Sequence, residues 1–136
     1  MSRTMSGLVA VLIATGVLDS AAADPLIECG MLTGSGSRVL ECLQTQIEVS
    51  TRAMEEVLGL ARAKAQELDA ANGTEAAVLA VEASQQAWVA FRDTNCELRG
   101  ALAVSGSDAE AMQLACHVEM TRERMDELLR LAGGGT

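Results

Sequence analysis

The chain has 136 residues and a formal charge of −9, with ten Lys and Arg against nineteen Asp and Glu, one His, one Trp, one Phe and no Tyr. That length fits one domain and leaves no room for two cores. The acidic balance excludes nucleic acid and anionic lipid, which are held by basic patches, and the scarcity of aromatic rings excludes a base-stacking platform.

Residues 1–23 carry the pattern of a signal peptide. Arg3 is a positive n-region, Gly7 to Leu18 is an apolar run, and Ala21 to Ala23 are the small residues that precede a cleavage site. The run is too short to cross roughly 30 Å of hydrocarbon. Export to the periplasm or beyond is therefore expected, with cleavage after Ala23 and no stable membrane insertion afterwards. Glu28 before Cys29 is unsuited to the small position ahead of a lipidated cysteine. The released chain keeps the charge of −9, because one basic residue (Arg3) and one acidic residue (Asp19) leave with the leader.

Residues 24–37 contain the only Pro and the cluster Gly34-Ser35-Gly36-Ser37, and read as an irregular arm. From Arg38 to the end there is no Pro, and Ala, Leu, Glu, Gln and Arg, all strong helix formers, dominate. Asn72-Gly73-Thr74 offers a left-handed C-cap followed by an N-cap Thr. Ser107 and Glu110 after Ser105-Gly106 offer a capping box, and Gly133 to Gly135 close the last helix. Residues 38–136 thus form a three-helix domain. In its first helix Leu40, Ile47, Met54, Ala61 and Leu68 recur every seven residues, with Leu43, Leu58 and Ala65 widening the stripe. The second repeats Leu79, Ala83, Ala87, Phe91, Leu98 and Leu102, interrupted by Thr94 and Asn95. The third repeats Leu114, Val118, Thr121, Met125, Leu128 and Ala132. These stripes predict an all-α fold, an antiparallel three-helix bundle with an irregular N-terminal arm.

Helix geometry then orders the cysteines. Measured from the turn at Gly73, Cys42 and Cys96 stand at roughly 46 and 35 Å along the bundle, at about 1.5 Å per residue. A disulfide needs its Cα atoms within about 7 Å, so these two do not pair. Cys96 and Cys116 are each ten residues from Gly106 and sit at one level, which predicts Cys96–Cys116 and, by elimination, Cys29–Cys42. The rival is a zinc site built from the four thiols and His117. No C-x-x-C pair exists, and the spacings fit no common zinc module, so no metal or other cofactor is expected.

Two segments carry identity. Ser84 to Cys96 reads SQQAWVAFRDTNC and Cys116 to Leu128 reads CHVEMTRERMDEL. Both resemble the signature of the LprI-like lysozyme-inhibitor family of small exported bacterial proteins, A-Q-x-A-W-x-x-F-R-D-x-x-C, a Gly-Ser loop, then C-x-x-x-x-T-x-x-R. Gln85, Ala87, Trp88, Phe91, Arg92, Asp93 and Cys96 match the first part, Gly106-Ser107 the loop, and Cys116, Thr121 and Arg124 the last. The sequence departs from the family in lacking an Asn/Thr-rich stretch and tyrosines around the first helix. The resemblance implies a helical periplasmic or secreted domain that inhibits lysozyme.

Trp88 and Arg92 are four apart and share a helix face, so the guanidinium can lie over the indole. This pair reads either as an anchor for a partner or as a pinned helix–helix seam. The seam is preferred, because Phe91 and Cys96 surround the motif with core-type residues, and Thr121 and Arg124 are expected to meet the second helix there. Catalysis lacks support: Glu55-Glu56 and Asp126-Glu127 are adjacent and do not face each other on a helix, and no nucleophile has an identifiable base. The arm and each of the three helices carry net negative charge. The expected partner is therefore a basic extracellular protein such as lysozyme, steered by charge, with the Ser105-Gly106-Ser107 loop as the candidate to occlude its cleft. The alternative is a periplasmic structural or stress protein of the envelope without inhibitory activity. The oligomeric state stays open.

Overall fold

Asp24 and Pro25 start a helix that composition alone reads as an irregular arm. The Leu26 N–H donates to Asp24 Oδ1 at 2.8 Å and the Glu28 N–H to the Asp24 carbonyl at 2.9 Å. Asp24 is thus an N-cap, and Pro25 occupies the first helical position, where its missing N–H costs nothing and its fixed φ suits the helix. The resulting α1 spans Pro25–Thr33. The structure, a computed structural model, describes residues 23–33, 36–103 and 106–133. Within them follow α2 (Gly36–Asn72), α3 (Ala76–Ala101) and α4 (Gly106–Leu131). Four helices, not three, make up the described chain, and no strand occurs among the described residues. The predicted leader, 1–23, lies outside them apart from Ala23. No described helix is long and apolar enough to cross a membrane.

Instead of trailing as an arm, α1 enters the core. Cys29 is fully buried beside Leu43 of α2 and Ala115 of α4. The Cys29–Cys42 disulfide, with Cα atoms 5.7 Å apart, ties α1 to α2. Arg122 of α4 grips it from the other side, donating to both oxygens of Glu28 at 3.1 and 3.0 Å and to Gln46 Oε1 at 3.1 Å. These hydrogen bonds from Arg122 hold the Glu28 carboxyl below the ordinary carboxylate range.

The seven-residue stripe of α2 holds through its middle. Met54, Val57, Leu58 and Ala61 pack against Leu128 of α4, with Val81, Trp88 and Met125 closing around them. Leu68, at the end of the stripe, is exposed. In α4 the expected face is correct, with Val118, Thr121 and Leu128 all buried.

The turn between α2 and α3 uses Gly73 in the left-handed region, φ 66°, as its sequence suggests. The N-cap is a correction. Thr74 does not cap α3; Asp69, from the last turn of α2, reaches across the turn instead. Its Oδ1 accepts the Thr74 hydroxyl at 2.7 Å and the Ala77 N–H at 3.0 Å, and its Oδ2 accepts the Val78 N–H at 2.9 Å. One buried carboxylate therefore closes two helices at once. The Val78 N–H foremost, then the Thr74 hydroxyl and the Ala77 N–H, hold it below the ordinary aspartate range.

Replacing Asp69 by Ala is expected to lower the thermal midpoint by several degrees, through loss of the cap. A group whose folded pKa lies below its unfolded value stabilises fully above the unfolded value, about pH 4 for Asp, and loses that contribution as pH falls through the folded one. The gap between wild-type and Asp69→Ala melting points should therefore be full at neutral pH and shrink below about pH 4, as melts across that range will show.

Between α3 and α4, Gly100 allows close approach. A Cβ there would stand 3.2 Å from the Ala109 carbonyl oxygen and 3.3 Å from Gln113 Cβ. Four residues earlier Cys96 bonds Cys116, with Cα atoms 5.5 Å apart. Because α4 begins at Gly106, Ser107 lies inside its first turn instead of ahead of it as the expected N-cap.

Candidate functional site

In α3 the face that points inward is the polar one. Val81, Gln85, Trp88, Arg92 and Cys96 follow one another at three- and four-residue steps, and all are buried or half-buried. The predicted core stripe of this helix lies on the opposite side. Phe91 is 61% exposed, and Leu79, Leu98 and Leu102 are likewise exposed. This corrects the expectation that Phe91 supports the motif as a core residue. Period alone located a face; the hydrogen-bonding capacity of Gln85 and Arg92 decided which face turned in.

Arg124 of α4 organises the seam. Its side chain is 5% exposed, yet every edge of the guanidinium has work. Nε donates to Gln85 Oε1 at 3.1 Å, Nη1 to Glu127 Oε2 at 2.7 Å and Nη2 to Ser84 Oγ at 2.9 Å. The Gln85 amide in turn points its nitrogen at Met54 Sδ of α2, 3.8 Å away, so the contact reaches a third helix. The indole of Trp88 lies between two guanidiniums, with Arg92 at 5.0 Å from its ring centroid and Arg124 at 5.8 Å. Stacked cations of this kind interact with the negative face of the ring. Thr121, one turn before Arg124, is almost wholly buried.

The seam continues toward Asp93, which pairs with Arg92 at 2.8 Å and lies 3.8 Å from His117 Nδ1. Burial pushes the His117 imidazole below its ordinary range, and the Arg92 charge adds to that against the opposite pull of Asp93 and Glu97. Among the described residues, no group of three His, Cys, Asp or Glu side chains is placed to hold a metal ion. Both sulfur pairs are closed as disulfides. What the seam can do chemically is hold α2, α3 and α4 in fixed register.

Gln85, Trp88, Arg92, Asp93, Thr121 and Arg124 are thus gathered along one seam, as their spacing suggests, and Phe91 is not. The loop candidate stands apart. Ser105 lies outside the described residues, and Gly106 opens α4 at roughly 27 Å along the helix from Arg124, at about 1.5 Å per residue. Sequence reasoning missed Arg122, although it stands between Thr121 and Arg124. Residues two apart on a helix point to different faces, so Arg122 serves α1 while Arg124 serves α3. It also missed Asp69, whose partners are eight and nine residues further along.

The seam and the Cys96–Cys116 bridge both fall within residues 32–128, the stretch that matches the family model described as lysozyme inhibitor LprI. The chain belongs to the LprI family. A curated relative from Rhizobium meliloti (strain 1021), an uncharacterized protein, is 40% identical over 55 residues. That match covers 40% of this chain and 40% of the relative. No solved structure gives a significant match. For an LprI-family chain the motif now has a physical reading. Gln85, Trp88 and Arg92 take one side of a helix, Thr121 and Arg124 answer from its neighbour, and the second disulfide locks the pair.

Proposed function

We propose that this chain is an exported inhibitor that binds lysozyme stoichiometrically. The observation that carries the reading is the lysozyme-inhibitor family match over residues 32–128. The charge of −9 supports it, since lysozymes of the animal type are strongly basic and opposite charge speeds association. Two disulfides suit an oxidising compartment outside the cytoplasm, and the sequence of residues 1–23 suits a cleaved leader. In this reading three long helices form an antiparallel bundle, supported by the pairs Arg62–Glu82, Gln85–Arg124 and Cys96–Cys116. The domain of 38–136 is strapped by α1, which precedes it, and the Ser105-Gly106-Ser107 stretch is the candidate to occlude the enzyme's cleft, since hydroxyls can hydrogen-bond catalytic carboxylates.

Purified protein titrated into a lysozyme lysis assay is expected to abolish activity near equimolar ratio, and to do so less effectively at high salt, where charge steering is screened. Undiminished lysis at several-fold molar excess overturns the reading. Inhibition indifferent to salt removes the steering part of it.

A further inference from the structure

We infer that the outward face of α3 is the surface on which the basic partner docks, an inference that rests on the lysozyme-binding reading above. The signature residues hold α3 from behind. Because Gln85, Trp88 and Arg92 turn inward, the apolar residues of the helix are left facing solvent. Leu79 is 64% exposed, Phe91 61%, Leu98 55% and Leu102 74%. Between them Ala80, Ala83, Ala87, Ala90, Thr94 and Ala101 are exposed too, and they recur at steps of three, four or seven. These residues form one uncharged stripe along a 26-residue helix, roughly 39 Å long at about 1.5 Å per residue. Small residues on the stripe let a partner's backbone come close, and Phe91, Leu98 and Leu102 supply area to bury. Contiguous exposed apolar surface rimmed by polar residues marks an interaction site.

Charge selects the occupant. Helical spacing places Glu82, Asp93 and Glu97 along one edge of the stripe, with Glu75 just ahead of the helix in the same line; Arg62 of α2 holds Glu82 and Arg92 holds Asp93, so Glu75 and Glu97 give the edge its net negative charge. No Lys occurs in α3, and its two arginines, Arg92 and Arg99, pair with Asp93 and Glu119. A second copy of the chain carries the same formal charge of −9 and on balance repels this edge. A basic protein brings the opposite net charge.

The test is the affinity of wild type and the double variant Ala87→Lys, Leu98→Lys for an animal-type lysozyme, measured beside their thermal midpoints and light scattering. Both positions are exposed, so the melting point should hold. The expected result is binding at least about tenfold weaker, since two cations then meet a basic partner on an apolar face. Equal affinity of variant and wild type overturns the docking face and leaves the inhibitor reading standing. Absence of binding by wild type overturns both. A wild-type dimer that the variant converts to monomer overturns the basic occupant in favour of a second copy.

Discussion

Replacing Arg124 by Ala is expected to destabilise the fold by about 3 kcal/mol. The change removes a buried guanidinium that satisfies Gln85 and Ser84 at once and stacks on Trp88. The buried Gln85 oxygen is left without its donor, and a group stranded in that way costs about 1–3 kcal/mol on its own. The void beneath the indole adds to that. Glu127, half-exposed, can turn to water and adds little. For a domain of this size the shift corresponds to a thermal midpoint about 10 °C lower. Arg124→Lys keeps the charge but offers a single nitrogen where three edges of a planar group now bond, and should recover less than half of the loss. Chemical denaturation of the three proteins checks both statements.

The two disulfides are expected to fail differently. Cys96–Cys116 closes a separation of 20 residues between two helices of the central packing. Substituting both cysteines by Ser should lower global stability by about 3 kcal/mol, the loop-closure value for that length, with the exchange of amides in α3 and α4 rising together. Cys29–Cys42 closes a separation of 13 residues and fixes α1. Its removal by the same double substitution leaves the grip of Arg122 on Glu28 intact. Exchange should then rise in α1 and the first turns of α2 while the remainder of α2, α3 and α4 keeps its protection, a local opening in place of a global one. Hydrogen exchange read by mass spectrometry separates the two patterns.

The seam also explains what could be read from residues alone. Where a helix buries its apolar side, as in α2 around Met54, Leu58 and Ala61 and in α4 around Val118 and Leu128, the period names the core directly. The disulfide partners follow from height, because Cys96 and Cys116 stand equally far from the turn at Gly106. In α3 the same rule selects the wrong face. Its inward residues include Gln85 and Arg92, which are acceptable in a core only because Arg124 and Asp93 satisfy them. The Gln85–Arg124 partnership joins α3 to α4, the Arg92–Asp93 pair stays within α3, and neither leaves a mark on the period of its helix. Pro25 misled for a local reason: a Pro that breaks a helix in its interior begins one well when an N-cap precedes it. Asp69 went unnoticed because its ligands lie beyond a turn that reads as self-sufficient.

A consequence for function follows from this inversion. Gln85, Trp88, Arg92 and Cys96 of the family signature, which looks like a binding motif when written as a string, are spent on holding α3 in place. In the proposed reading recognition falls to the outward side of α3, where Ala87 and Phe91 are the signature positions that face solvent.

Calorimetric titration of the purified protein into an animal-type lysozyme, at low and at high salt, decides whether the chain binds the enzyme. A one-to-one complex whose affinity falls as salt rises is expected; no detectable binding at either salt overturns the inhibitor reading.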